Sequence, residues 1–311
     1  MAPIHWRTKI LLAKIESAYA TDPTPSGAAN AILATDIRLT PMDGADVSRE
    51  LETPWLGAQG TIPAELIARI AFKVEFAPSG TAGTAPAWGP LLRACGVAET
   101  IDAGVSVTYN PVSSGHESAT LYLLIGNTRY VLPGARGNCM ITVNAQGIPY
   151  LEFEFTSLFS SPSEQTRPTP TLTAFQKPRV ATSANTPTFT LDEDDFVLRS
   201  FRLNLGNQVE PRLLIGSDAV VITDRADMIE ATVEATQLSA FNPFALAAAQ
   251  TAIEVELVHG AAAGSIATLN IPAAQMQRPQ GLESAQNIKE WPLRLVPLPT
   301  AGDDQWTLEL T

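Results

Sequence analysis

The sequence predicts an all-β protein with short helices, arranged as two tandem β units with one helix in each. Three observations predict it. Apolar and polar residues alternate with period two over several segments, as a strand does when one face is buried and the other wet. Turn-forming clusters punctuate those segments. The same succession of elements occurs once in each half of the chain.

The opening stretch MAPIHWRTKILLAKIESAYA places Arg7 and Lys9 ahead of Ile10, Leu11 and Leu12, in the manner of a secretory leader. Lys14 and Glu16 cut that apolar run short, and no later run approaches a membrane span. A soluble protein that stays in the cell that makes it is expected. DIRLTPMDG (36–44) reads as a strand ending in a turn at MDG. In IARIAFKVEF, Ile70, Phe72, Val74 and Phe76 lie on one face, with Arg69, Lys73 and Glu75 on the other. GTAGTAPAWG (80–89) lacks the Lys and Ser/Thr of a phosphate loop and reads as a flexible surface loop.

WGPLLRACG (88–96) is an aromatic, a small residue and a proline opening a short apolar helix over 90–95. IGN (125–127), PGARGN (133–138) and NAQG (144–147) read as turns, and MITVNAQGIPYLEFEF (140–155) as a hairpin. Residues 160–187 are rich in Pro, Ser and Thr, which favours extended backbone over a packed core. Such a segment reads as a linker, with an arm laid across a neighbour as the alternative, and the linker reading divides the chain into a unit over 1–160, a linker over 161–190 and a second unit over 191–311.

The second unit repeats the order of the first. SFRLNLGNQ (200–208), DMIEATVEATQL (227–238) and the helix of FNPFALAAAQ (241–250) follow one another, and a hairpin over PLRLVPLPTAGDDQWTLEL (292–310) closes the chain. Arg38 matches Arg202, Glu65 matches Asp227, Trp88 matches Phe241, and Pro90 matches Pro243. Between helix and final hairpin, AIEVELV sets Ile253, Val255 and Leu257 against Glu254 and Glu256. Four matched elements in one order point to duplication of a β unit.

Composition narrows the function. With 45% hydrophobic and 17% charged residues the chain has ample material for a core, and its net charge of −12 makes it a poor phosphate binder. Cys95 and Cys139 stand apart as reduced, half-buried thiols. His5, His116 and His259 lie in unlike contexts without metal-ligand spacing, so neither a metal nor another cofactor is expected. LDEDDF (191–196) lacks the glycine and spaced Glu of a calcium loop and reads as a solvated face. No nucleophile elbow occurs, and the strand carboxylates share faces without forming an acid–base pair across a cleft. An enzyme is not expected. A doubled β unit without chemistry reads as a building block whose open sheet edges invite other chains.

The residues KILLAKIESAYATDPTPSGAANAILATDIRLTP (9–41), with their E-x-x-Y-x-T-D-P-T-P turn, are similar to the opening of the major tail tube proteins of long, non-contractile-tailed bacteriophages. The resemblance continues through ELIARIAFKVEFAPSG…APAWGPLLRACG (65–96) and reaches the second half only through the internal repeat. It implies a virion structural protein, made in the host bacterial cytoplasm and placed in the virion tail. Each unit would be a β-sandwich flanked by an α-helix, and copies of the chain would form rings, stacked into a tube whose inner sheets join into a β-barrel. A chain with two units implies trimers with pseudo-sixfold symmetry, and single-unit members imply hexamers. Tape-measure, tail terminator and distal tail proteins are the implied partners, with double-stranded DNA passing through and no membrane involved.

Under that resemblance the acids of the alternating strands, Glu75, Glu152, Glu154, Glu230, Glu234, Glu254 and Glu256, are candidates to line a DNA-repelling lumen. The arm 1–35 and the loops 52–64 and 77–90 are candidates for ring stacking, with Trp6, Trp55 and Trp88 as anchors. Alternative readings are another phage β protein (a tail terminator, baseplate or capsid decoration protein) and a secreted carbohydrate-binding β-sandwich.

Overall fold

The computed structural model describes residues 3–311. Strands make up 51% of the chain and helices 4%, so the protein is all-β. In the first half the strands are β1 (Lys9–Ile15), β2 (Ala31–Ile32), β3 (Ala34–Ser48), β4 (Thr61–Glu75), β5 (Val97–Asp102), β6 (Ser106–Pro111), β7 (Ala119–Ile125), β8 (Thr128–Asn144), β9 (Tyr150–Leu158) and β10 (Ser163–Glu164). Helix α1 (Gly89–Arg93) separates β4 from β5.

The second half holds β11 (Thr188–Leu191), β12 (Asp194–Asp195), β13 (Leu198–Asn204), β14 (Asn207–Leu214), β15 (Ser217–Arg225), β16 (Met228–Glu234), β17 (Ala252–His259), β18 (Ala267–Met276), β19 (Glu283–Ala285), β20 (Ile288–Pro297) and β21 (Thr307–Leu310). Helix α2 (Pro243–Ala249) separates β16 from β17.

Period-two alternation becomes burial. Ile70, Phe72 and Val74 of β4 face Phe155, Phe153 and Leu151 of β9, and all six are buried. Aromatic ring centroids 5.7 and 5.9 Å apart link Phe72 to Phe153 and Phe155. Both helices carry proline in the first turn, where no intrahelical donor is lost. Asn242 caps α2 by accepting from the Phe244 and Ala245 amides, and Gln250 ends it at φ 56°.

The long strand β8 organises the first half. Its beginning pairs with β7, which pairs with β1 and through it with β2, while β10 runs along the opposite border. From Arg136 onward the same strand pairs with β9, then β4, then β3. The bend lies at Gly134, whose φ of +62° suits glycine. PGARGN is therefore a bend inside one continuous strand, not a turn. Its glycines reorient a strand whose ladder is kept on either side.

The second half repeats this pairing order. Strand β17 lies between β11 and β18, β12 folds back on β11, and β21 borders the start of β18. Strands β13, β16 and β20 follow one another as β3, β4 and β9 do, and β19 borders β20 where late β8 borders β9. Arg38 and Arg202 occupy matching positions, opposite Ala71 and Glu230. Glu65 and Asp227 do not match: the ladder sets Ile70 level with Ile229, which brings Asp227 level with Ala68.

Two joints connect the halves. Strand β13 adds to β8, with Phe201 opposite Val143 and Leu203 opposite Ile141. Strand β21 adds to β6 of the hairpin inserted after α1. The first joint makes one run of strands in the order β3-β4-β9-β8-β13-β16-β20. Apolar side chains from both halves, including Trp88, Phe155, Phe201, Trp291 and Trp306, belong to one core.

Other expectations need correction. Residues 9–15 are no free arm: β1 lies between β2 and β7, and Leu11 and Leu12 are buried. MDG is a bulged stretch within β3, with register shifts on both sides of Asp43. Residues 292–310 form no hairpin, because β20 and β21 pair with other strands. The Pro-rich segment begins with β10 and is tied down at Thr171, whose amide donates to the Gly27 carbonyl (2.9 Å), and at Ala181, whose amide donates to Gly147 (2.9 Å).

Candidate interaction surface

One face of the run β3 to β20 covers the core. The other presents a polar row crossing six strands: Glu75, Tyr150, Thr142, Arg202, Glu230 and Arg294 stand opposite one another in turn. A second row contains Lys73, Glu152, Met140 and Asn204. Two troughs open on this face at matching positions. Arg38, Lys73, Glu152 and Glu154 line one. Arg202, Thr232, Pro292 and Arg294 line the other, together with Glu283.

The face mixes charge. Lys73 pairs with Glu152 (3.2 Å) and Arg294 with Glu230 (3.5 Å), while Arg38, Arg69 and Arg202 alternate with Glu75, Glu154 and Glu234. Of the acids the sequence singles out, Glu75, Glu152, Glu154, Glu230 and Glu234 belong to this run of strands. Glu254 and Glu256 do not: they stand on β17, between β11 and β18. Alternation reveals that a residue faces solvent but not which sheet carries it, and this division follows from the pairing alone.

A hairpin seals the joint between the halves. Strands β14 and β15 form a ladder of their own and are held to the first half by polar contacts. Arg136 donates to the Val220 carbonyl (2.8 Å), and the Val220 amide donates to the Tyr19 hydroxyl (2.5 Å). Asn207 donates to the carbonyls of Cys95 (2.6 Å) and Gly137 (3.0 Å), and Arg225 donates to that of Gly96 (2.6 Å). Arg136 also stacks over Tyr19, 4.9 Å from the ring centre. The corresponding hairpin of the first half, the outer parts of β3 and β4, projects with Met42, Val47, Leu51, Trp55, Leu56 and Ile62 exposed.

The three tryptophans separate. Trp55 is 79% exposed at the tip of that hairpin, and Trp6 is 68% exposed beneath the Lys9 ammonium. Trp88 is 1% exposed, donates to the Ala77 carbonyl (2.8 Å) and packs on Phe76 and Tyr109. It is a core residue with no exposed surface to offer another chain. The Gly-rich loop leading to it is also packed, since the Gly80 amide donates to Gly264 (2.9 Å).

Sequence reading missed the burial of three carboxylates, Glu290 on β20 and two with richer contacts, Glu16 and Asp227. Glu16 accepts from the Ser118 and Thr120 hydroxyls (both 2.6 Å) and from the Gly134 and Ala20 amides (2.7 and 2.8 Å), which ties the β1 end to the β8 bend. Asp227 accepts from the Trp306 indole (3.1 Å), and burial raises its pKa to about 6 against the attraction of Arg225. Glu16 and Asp227 each serve the packing of their own half. Both thiols are buried, and that burial pushes them above the ordinary thiol range.

Among the described residues no group of three or more His, Cys, Asp or Glu is placed to hold a metal ion, and no helix is long and apolar enough to cross a membrane. LDEDDF is the tight turn between β11 and β12, with Asp192 and Glu193 at φ 54° and 68°. Compared with known families and with curated proteins, the chain matches none.

Proposed function

We propose that this chain is the structural subunit of a hollow assembly of the phage tail tube type, with each chain supplying two β-sandwich units of a ring. One observation carries the reading. The pairing order of the first half recurs in the second, and the two halves join edge to edge through β8 and β13. A unit that adds to a copy of itself through a sheet border is the elementary step of a closing ring. Three chains with two units each give pseudo-sixfold symmetry, and stacked rings give the tube.

In this reading the polar face of the β3-to-β20 run lines the channel, because it is the face shared across the joint. Glu75, Glu152, Glu154, Glu230 and Glu234 then belong to the wall, and Glu254 and Glu256 to the outside. The wall alternates Arg and Lys with Glu, so passing DNA meets paired charges that neither grip nor strongly repel it. The exposed apolar hairpin around Trp55 suits contact between successive rings.

Electron microscopy and mass measurement of the purified protein test the proposal. Hollow filaments, or rings with the mass of three chains, are expected. A chain that stays monomeric across the accessible concentration range overturns it.

A further inference from the structure

The run of seven strands continues past β20 into β19. Among the described residues its two outer strands have one partner each: β3 pairs with β4, and β19 with β20. The chain contains its own example of how such borders meet. At the internal joint, Thr142 of β8 stands opposite Arg202 of β13. The repeat transfers this register. Leu151 and Trp291 are equivalent, since each faces a valine of the preceding strand, Val74 or Val233. The next positions, Tyr150 and Glu290, face Thr142 and Glu283, which makes Glu283 the counterpart of Thr142. Arg38 is the counterpart of Arg202 by the same ladder argument.

We infer that a second copy of this chain adds its β3 to β19 in the register of the internal joint, with Arg38 of one copy opposite Glu283 of the other. This rests on the assembly reading above and specifies its contact. Three observations favour the pairing. Both side chains are exposed and line the same polar face, one in each trough. Opposite charges directly across an antiparallel pair attract, and the internal joint has no such pair at this position. One step along, Leu39 meets Leu282, which is 67% exposed in the isolated chain.

The external joint is shorter than the internal one. The Gln277 amide donates to the Arg294 carbonyl (2.8 Å), as a regular continuation of β18 requires, but Arg278, Pro279, Gln280 and Gly281 then bulge away before β19 resumes. On the other border the Ile37 carbonyl already accepts from the Lys9 ammonium (3.2 Å). The contact between copies is thus a brief ladder strengthened by one ion pair. It forms with concentration, whereas the internal joint is always made.

Cysteines at both positions test the register. Residues directly opposite in an antiparallel pair have Cα atoms about 4.5–5.5 Å apart, within disulfide range. The native Cys95 and Cys139 are buried and do not compete. Arg38→Cys with Glu283→Cys in one chain should give covalent multimers on mild oxidation, and each single variant none. Independently, Arg38→Glu should weaken assembly by about tenfold through like-charge opposition, and Arg38→Glu with Glu283→Arg should restore it. Rings or tubes that form without cross-linking, and that ignore Arg38→Glu, overturn this joint while leaving the tube reading intact. A chain that never assembles overturns both.

Discussion

At the residue scale, the informative side chains are those whose surroundings set their chemistry. Asp227 is buried beside Trp306 and within the field of Arg225, and burial lifts its pKa from 3.8 to about 6. The folded state therefore binds this proton more tightly than the unfolded chain does. Its contribution is fully present below pH 4 and is lost as pH rises through 6, a difference of at most about 3 kcal/mol. Asp227→Asn keeps an oxygen for the Trp306 indole and removes the titration. Melting temperatures across pH 4–7 should fall less steeply for Asp227→Asn than for the parent, and identical slopes would refute the assignment. The sequence marks Glu16 as a break in an apolar run and Asp227 as a position in the repeat, but not their burial, because an isolated carboxylate looks the same whether solvated or enclosed.

At the element scale, two hairpins occupy matching places between the first two strands of each run, and they have opposite environments. Strands β14 and β15 are bound to the first half through Val220, Asn207 and Arg225. The outer parts of β3 and β4 touch little and carry exposed apolar residues up to Trp55 and Leu56. Replacing residues 51–57 with a short turn removes no core contact, so the melting temperature should stay within about 2 °C of the parent. In the proposed assembly, lateral rings should persist while long tubes disappear from micrographs. Unaltered tubes would exclude this hairpin from stacking.

Element identity was largely legible here. The alternation in IARIAFKVEF and YLEFEF, and the prolines of α1 and α2, report local geometry that neighbouring residues dictate. Glycine was ambiguous. It marked the β7–β8 turn at Gly126 correctly, but at Gly134 it marked a bend inside a strand, because positive φ serves either purpose.

At the scale of the whole molecule, the halves share one core and two edge joints. Unfolding one half would expose the β8 border and the apolar surface beneath it, so the chain should unfold as one cooperative unit. Denaturant titration followed by tryptophan fluorescence and by far-UV circular dichroism should give coincident transitions. Two separated transitions would show that the β8–β13 joint is weak.

By itself, the sequence determined that this is a strand-rich chain with a recurrent order of elements, since period-two patterning and turn chemistry act over a few residues. Only the tertiary structure decided which strands are neighbours. It placed β13 on β8, sent β21 to β6 instead of back onto β20, moved Glu254 and Glu256 away from the other acids, and put Trp88 inside. The physical reason is that strand pairing joins backbone groups far apart in the chain. The identity of a side chain says little about which distant backbone will meet its own.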